Sequence, residues 1–372
     1  MTPSTTDAAA AVRDLPADDL MALTEALVAV PSVSLDEREL ADAVQARLEV
    51  HGGTMAVERV GDNVVARTDN GRERRVLIGG HLDTVPENGN LPGRRDGDTL
   101  RGLGASDMKG GLAVMLRLAE EAAASQHDLT LVFYVAEEIA EEHNGLRDLF
   151  SRRPDLVAAD LAVLMEPTDG WVEAGCQGTI HLRTDFEGAR AHTARPWRGE
   201  NAVHRAGHLL ARLDAHEAPT VVVEGLEFRE SLQAVEIGGG VARNVVPDRC
   251  TVVVNRRYAP GPSLDEAVAQ TTSMLEEADS VTVVSASPAA PPGLSDPLVA
   301  EFVGTLDLAV RPKLGWTDVA RFTEHGVPAL NFGPGDPELS HTAGERVDSA
   351  SLEGAHRVLA WFLGIDRSDP SG

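Results

Sequence analysis

The sequence predicts an α/β protein whose mainly parallel sheet is flanked by helices and is interrupted by an inserted ferredoxin-like domain. Short, wholly apolar runs such as LTLVFYVA (129–136) and LAVLM (161–165) are typical of strands buried on both faces of a parallel sheet. Helical patterns lie between these runs, and such alternation indicates a layered α/β domain. From residue 176 the order becomes strand, helix, strand, strand, helix, strand, which is the split βαβ layout of a ferredoxin-like module.

The first part of the chain and its C-terminal part supply the elements of the predicted α/β domain. The run SLDERELADAVQARLEVHG (34–52) is an amphipathic helix that we expect Ser34 to cap and Gly52-Gly53 to end. The other predicted helices are DDLMALTEALVAVPS (18–32) and MKGGLAVMLRLAEEAAAS (108–125), and the other predicted strands are NVVART (63–68), RRVLIGG (74–80) and PALNFGP (328–334).

The inserted domain is expected over residues 176–290, between catalytic segments 1–175 and 291–372. A proline-rich linker, SPAAPPGLSDP (287–297), marks its end. We expect the first dozen residues and the tail DRSDPSG to be disordered. The predicted strands of the insert are GTIHLRTDFEG, SLQAVEIGG, RCTVVVNRRYA and SVTVVSA, and its predicted helices are ENAVHRAGHLLARLDAH and SLDEAVAQTTSMLEEAD.

Composition excludes several classes of protein. The formal net charge of −26 over 372 residues argues against a nucleic-acid or anionic-membrane partner, because both require a basic surface. No apolar run approaches the roughly 20 residues of a membrane span, and the N-terminus has no secretory-signal pattern. The two cysteines, Cys176 and Cys250, are too few for a disulfide framework, so we expect a reduced, cytoplasmic compartment.

Polar, titratable residues follow the predicted strands at the points where the strands end. Ligands of an open α/β sheet bind at the carboxyl ends of its strands, so these residues are expected in one crevice. Each alone is compatible with an ordinary surface position, but together they indicate a site. Nitrogen and carboxylate donors without thiolates suit zinc, cobalt or manganese. The residues are His81, Asp83, Asp107, Glu137, Glu138, Glu166 and His341.

The motifs GGHLDTVP, GLGASDMKGG, AEEIAEEHNG, LMEPT and SHTAGE resemble, in the same order, those of the co-catalytic zinc aminoacylase and carboxypeptidase family. That family includes acetylornithine deacetylase, glutamate carboxypeptidase, peptidase T and succinyl-diaminopimelate desuccinylase. The resemblance implies that the inserted module is a lid and homodimerisation domain. It also implies a cis peptide bond between Asp107 and Met108.

The resemblance implies two divalent metal ions per chain, with zinc as the expected metal and cobalt or manganese as alternatives. His81 and Glu166 would hold one ion, Glu138 and His341 the other, and Asp107 both. Two such ions polarise the scissile carbonyl and activate water.

The resemblance also implies catalytic roles. Asp83 would orient the imidazole of His81, and Glu137 would be the general base. We choose Glu137-Glu138 over the second pair, Glu141-Glu142, because the first pair follows the strand directly. In the insert, His192 would reach the partner subunit's site and stabilise the oxyanion.

Within the family, AGCQGTI, KLGWTDVARF and NFGPGDPELSHTAGERV resemble the succinyl-diaminopimelate desuccinylases of actinobacterial type. The implied reaction is hydrolysis of N-succinyl-LL-2,6-diaminopimelate to succinate and LL-2,6-diaminopimelate, in lysine and cell-wall biosynthesis. Its carboxylates need polar and cationic partners, for which arginine is well suited. The matching positions are Asn244, Arg257, Thr317 and Arg321.

Three other interpretations remain open on the sequence. The chain could be another N-acyl amino acid deacylase or carboxypeptidase of the same family, such as acetylornithine deacetylase. It could be a noncatalytic binding protein that kept the fold, although no expected ligand or base is missing. A nucleotide site at GLGASD is disfavoured, because Asp107 stands where the dinucleotide fingerprint requires glycine.

Overall fold

The computed structural model describes residues 5–305 and 308–366, which form two compact units. The first unit runs up to Ala174 and resumes over Gly293–Arg311 and from Arg321 onward. The second comprises Gly175–Pro292 and Pro312–Ala320. The short segment Pro312–Ala320, which the sequence placed with the catalytic part, lies in the second unit, where the Trp316 indole donates to the Pro288 carbonyl at 3.1 Å.

Helices form at most of the positions that the apolar spacing predicts. Eight of the α-helices in the described residues belong wholly to the first unit and two belong to the second, and one is divided between them. They are α1 (Thr5–Asp14), α2 (Leu20–Ala29), α3 (Arg38–His51), α4 (Gly110–Glu121), α5 (Gly145–Arg152), α6 (Pro154–Val157), α7 (Ala202–Asp214), α8 (Leu264–Ser273), α9 (Pro297–Thr305), α10 (Val319–Glu324) and α11 (Ser349–Phe362).

The strands, including all those predicted from the sequence, have the following bounds. They are β1 (Ala56–Val60), β2 (Asn63–Arg67), β3 (Arg75–His81), β4 (Arg94–Asp96), β5 (Thr99–Arg101), β6 (Asp128–Tyr134), β7 (Leu161–Leu164), β8 (Val172–Cys176), β9 (Gly178–Glu187), β10 (Thr220–Val223), β11 (Leu226–Arg229), β12 (Ser231–Gly239), β13 (Arg249–Tyr258), β14 (Ser280–Ser287), β15 (Val310–Lys313), β16 (Ala329–Asn331) and β17 (Arg346–Asp348).

The main sheet has a parallel centre, as the apolar runs predict. Its strand order is β1-β2-β6-β3-β7-β16-β8-β15, and the neighbours β6, β3, β7 and β16 run parallel to one another. Every residue of β6 and β7 is buried, which explains why both strands are predominantly apolar. Because neighbouring parallel strands end at the same edge of a sheet, the residues that follow β3, β6 and β7 come together there.

The second unit contains the predicted ferredoxin-like sheet. Its four strands are antiparallel in the order β12-β13-β9-β14. The helices α7 and α8 pack on one face, around a core that includes Ile180, Phe186, Leu209 and Tyr258. An additional hairpin of β10 and β11, which the sequence did not predict, precedes β12.

Two expectations near the N-terminus are corrected by the structure. Residues 5–14 form helix α1, and they are held by buried Arg47, whose guanidinium donates to the carbonyl oxygens of Val12 (2.7 Å) and Leu15 (2.8 Å). Ser34 does not cap α3, which begins at Arg38; its hydroxyl donates to Asp83 instead. Residues 1–4 and 367–372, also expected to be disordered, lie outside the described residues.

Cys176 and Cys250 are both buried, and their thiols are free. None of the helices in residues 5–305 and 308–366 combines the length and apolarity needed to cross a lipid bilayer.

Close packing at the start of α4 should be sensitive to one added methyl group. A Cβ on Gly111 would lie 2.6 Å from the carbonyl oxygen of Met165, whereas a Cβ on Gly354 in α11 would meet nothing within 4 Å. We expect Gly111→Ala to lower the free energy of unfolding by about 1–3 kcal/mol. Gly354→Ala should raise it by about 0.5–1 kcal/mol, since alanine favours the helix. Urea denaturation measures both; an unchanged midpoint for Gly111→Ala would contradict the packing.

Candidate metal centre

Three neighbouring parallel strands bring their polar ends to one edge of the main sheet. His81 is the last residue of β3, Glu137 and Glu138 follow β6, and Glu166 follows β7. Strand β3 lies between the other two, so His81 occupies the middle of the row and is only 1% exposed. The central position of β3 therefore explains how residues far apart in sequence meet.

Asp107 lies between two imidazoles. Its turn, Ala105–Lys109, precedes α4 and contains the cis peptide bond Asp107–Met108, which confirms that prediction. Asp107 Oδ1 is 3.1 Å from His81 Nε2, and Asp107 Oδ2 is 3.4 Å from His341 Nε2. His341 Nε2 is also 2.8 Å from Glu138 Oε1. One carboxylate thus joins two groups of potential metal ligands.

The ligand atoms form three overlapping groups. Within each group the nitrogen and oxygen atoms lie within 4.8 Å of one another. Asp107 belongs to two of the groups, and Glu137 joins the third together with Glu138. The groups are His81, Asp107 and Glu166; Asp107, Glu138 and His341; and His81, Glu137 and Glu138.

The electrostatics of the cluster favour a bound positive charge. Burial alone would lower the pKa of His81, but hydrogen bonds to Asp107 and Asp83 raise that pKa well above its usual value. Hydrogen bonds to Asp107 and Glu138 raise the pKa of His341 to about 10. Against the effect of burial, the same two histidines hold the pKa of Asp107 far below its ordinary range. A divalent cation would supply the charge that these protons provide.

Asp83 is fully buried and makes more contacts than the sequence predicted. His81 Nδ1 is 2.9 Å from the main-chain oxygen of Asp83 and 3.5 Å from its carboxylate Oδ1. The same carboxylate accepts the backbone N–H groups of Glu137 (3.0 Å) and Glu138 (3.1 Å) and the hydroxyl of Ser34 (2.7 Å). Asp83 is therefore placed to orient both His81 and the glutamate pair.

Three further buried groups near the cluster were missed by the sequence reading. The Glu37 carboxylate accepts the backbone N–H of Ala136 at 3.1 Å. Glu345 Oε1 accepts the N–H groups of Ser106 (3.1 Å) and Asp107 (3.0 Å), and burial raises the pKa of Glu345 to about 7. Lys109 Nζ donates to the Val30 carbonyl at 2.8 Å, and burial lowers its pKa to about 7. Lys109 lies inside the motif GLGASDMKGG and Glu345 inside SHTAGE, and these positions were the signal that the sequence offered.

In the second unit, the structure brings His192 and Asn244 together. The N–H of Thr193 donates to the Asn244 carbonyl at 3.1 Å, and His192 forms a β-bridge with Val245. The N–H of Ala194 donates to His192 Nδ1 at 3.0 Å, so the neutral imidazole of this exposed residue carries its proton on Nε2. His192 is thus prepared to donate a hydrogen bond.

The remaining substrate candidates lie in different places. Arg257 is on β13, and Thr317 is buried in the loop between β15 and α10. Both belong to the second unit. Arg321 is a buried residue of α10 in the first unit, with Nη1 3.6 Å from Glu141 Oε1. The second glutamate pair therefore contributes an ion pair with Arg321.

The donor set of the cluster fits divalent metal ions. It consists of two imidazole nitrogens and several carboxylate oxygens, which is the ligand chemistry of zinc, cobalt and manganese sites. The carboxylate of Asp107, shared between two groups, also suits a pair of ions.

Comparison with known proteins places the chain in a family. The sequence pattern of Peptidase family M20/M25/M40 matches residues 77–364. The chain is 46% identical over 347 residues to a Mycobacterium tuberculosis protein named as a succinyl-diaminopimelate desuccinylase, covering 93% of this chain and 98% of that one. It is 39% identical over 354 residues to the Corynebacterium glutamicum protein of that name, covering 93% and 96%.

Solved structures show the same fold. A tripeptidase from Staphylococcus aureus superposes with a TM-score of 0.75 at 19% sequence identity, covering 94% of this chain and 98% of the other. The matched pattern spans every proposed ligand, from His81 to His341. The chain belongs to Peptidase family M20/M25/M40.

Proposed function

We propose that the protein is a metal-dependent amidohydrolase that converts N-succinyl-LL-2,6-diaminopimelate to succinate and LL-2,6-diaminopimelate. The observation that carries the hydrolytic part is the cluster in which Asp107 is shared by two groups of potential ligands. The choice of substrate is supported by the 46% and 39% identities to two proteins named for this reaction. A cytoplasmic location is part of the proposal and is supported by the free, buried thiols of both cysteines.

Two divalent ions per chain, zinc in our proposal, would be held by the residues that resemble the family's ligands. His81 and Glu166 would hold one, Glu138 and His341 the other, and Asp107 both. When bound, such ions supply Lewis-acid activation of the scissile carbonyl and of water.

Glu137 is the general base in this proposal. It would take a proton from the attacking water and pass it to the leaving amine, as general acid–base catalysis requires. Its neighbour Glu138 lies 2.8 Å from His341, so the two adjacent glutamates have different surroundings. Both are anchored through their backbone N–H groups to Asp83, which keeps their spacing constant.

The second unit would complete the site across a homodimer. His192 presents an Nε2–H that suits a developing oxyanion. Strand β12 is an edge strand, and its Val235 and Ile237 are 57% and 53% exposed. Pairing of this edge with a second copy across a two-fold axis would continue the sheet through backbone hydrogen bonds. Arg257, Arg321, Asn244 and Thr317 would bind the carboxylates of the substrate.

Substrate choice and metal dependence can be tested together. The enzyme is chelated and then assayed against succinyl-diaminopimelate, acetylornithine and other succinyl and acetyl amino acids, with zinc, cobalt or manganese added back. We expect activity to be lost on chelation and to return with about two ions per chain. Succinyl-diaminopimelate should have the highest kcat/KM. Preference for acetylornithine would favour the deacetylase, and no hydrolysis in any arm would support a noncatalytic protein.

The two glutamates should respond differently to truncation. Glu137→Ala removes the base but no proposed ligand, so we expect metal content to be retained and kcat to fall by at least about 10²-fold. Glu138→Ala removes a ligand, so metal content should fall as well. Elemental analysis of the two purified variants provides the comparison. The reverse pattern would show that the roles of the two residues are exchanged.

Active sites shared between subunits should complement each other. We expect His192→Ala and Glu137→Ala chains to be inactive separately. After subunit exchange, about a quarter of wild-type activity should return, because random mixing makes half of the dimers hybrid and each hybrid has one complete site.

The matched control for this exchange mixes His192→Ala chains with chains that carry both substitutions, a combination that contains no complete site. Labelled chains establish that exchange has occurred. If the first mixture stays inactive after proven exchange, His192 does not serve the partner subunit.

A further inference from the structure

Three successive backbone N–H groups after β6 donate hydrogen bonds to two buried carboxylates. Ala136 donates to Glu37 Oε1 at 3.1 Å, Glu137 to Asp83 Oδ1 at 3.0 Å, and Glu138 to Asp83 Oδ2 at 3.1 Å. The segment that carries the glutamate pair is therefore held by its main chain, and each carboxylate holds a defined part of it.

The backbone at Ala136 explains why these N–H groups converge. Ala136 has φ 57°, in the left-handed region that residues other than glycine rarely adopt. A left-handed residue within a turn directs successive N–H groups to one side, which creates a concave site for anions. Here the acceptors are carboxyl groups of the same protein, those of Glu37 and Asp83.

The segment that supplies Glu37 is attached directly to the strand extension that supplies Asp83. Thr84 donates to the Ser32 carbonyl at 2.9 Å, and Ser34 donates through its N–H to the Thr84 carbonyl at 3.1 Å. The Ser34 hydroxyl adds its bond to Asp83. Residues 32–37 and 82–84 are thus joined to each other by hydrogen bonds, and side chains from both segments accept hydrogen bonds from the turn 136–138.

A helix cap does not account for Glu37. Its side chain makes no capping hydrogen bond to α3, although the residue precedes that helix. Glu37 is 4% exposed, and burial raises the pKa of its carboxyl group, with nearby Asp83 adding to the rise. Burying a carboxyl group beside another is costly unless it is hydrogen-bonded. Backbone hydrogen bonds at Leu35, at Glu37 itself and at Ala136 offset part of this cost, and the bond to Ala136 is the one that reaches the turn 136–138.

We propose that Glu37 is a positioning residue which, by accepting the Ala136 N–H, sets the orientation of the turn that carries Glu137 and Glu138. The inference rests on the proposed roles of those two glutamates as base and metal ligand. Small displacements of such groups are expensive, since an error of about 1 Å can cost roughly 10²-fold in rate.

Three substitutions at Glu37 separate the effect of its hydrogen-bond acceptor from the effects of the size and charge of its side chain. Glu37→Met keeps the size but removes the acceptor, Glu37→Asp keeps the charge but shortens the reach, and Glu37→Gln keeps an acceptor at the same place. Glu39→Gln is the matched control, because Glu39 is an exposed residue of α3 only two positions after Glu37.

The measurements are hydrogen exchange of the peptide covering 134–140 in the metal-free protein, metal content, kcat and KM. We expect the Met and Asp variants to lose protection at the 136–138 amides while the rest of the first unit stays protected. Their kcat should fall by about 10- to 100-fold with KM changed less than about twofold. The Gln variant should keep its protection and most of its kcat, and the Glu39 control should match the wild type.

The proposal is overturned if folded Glu37→Met and Glu37→Asp chains keep wild-type exchange at 136–138, or keep wild-type kcat. It is also overturned if Glu37→Gln is as impaired as Glu37→Met. Should Glu37→Met fail to fold, Glu37→Asp decides the matter alone. Failure of this proposal can be distinguished from failure of the proposed reaction. If the wild-type chain has no hydrolytic activity, hydrogen exchange at 136–138 still tests the role of Glu37.

Discussion

The contact of one carboxylate, that of Asp107, with two imidazoles is the feature around which the rest of the site is arranged. The carboxylate oxygens of Asp107 lie 3.1 Å from His81 Nε2 and 3.4 Å from His341 Nε2, and these two histidines are far apart in the sequence. Burial alone would favour a neutral Asp107, but the two histidines hold its pKa far below the ordinary range. A carboxyl group whose pKa is shifted this strongly by its neighbours is typical of functional sites.

Two of the segments that carry proposed ligands are held through backbone N–H groups by buried carboxylates. Glu345 accepts the N–H groups of Ser106 and Asp107, and Asp83 accepts those of Glu137 and Glu138. This arrangement leaves the ligand side chains available while their backbone cannot shift. It also places several acidic groups close together, which a bound cation would compensate electrostatically.

The proposed metal cluster and several of the proposed substrate-binding residues lie in different parts of the molecule. The cluster at the edge of the main sheet lies entirely within the first unit and would account for the proposed metal-dependent hydrolysis. Recognition of a particular acyl group would come from residues such as Arg257, which belongs to the second unit. A fold of this kind hosts many reactions, so the proposed substrate depends on the identity to named relatives and on its assay.

The sequence by itself determined the fold class and most of the candidate cluster. Apolar runs without alternation are typical of strands in a sheet covered on both faces, and the polar residues that end such strands are expected at one edge of the sheet. Only the tertiary structure decided which backbone groups hold those residues. Ser34 looked like a helix cap and is a hydrogen-bond donor to Asp83, and Glu37 gave no signal at all. The reason is that a hydrogen bond between residues 99 positions apart depends on chain packing, which no local pattern encodes.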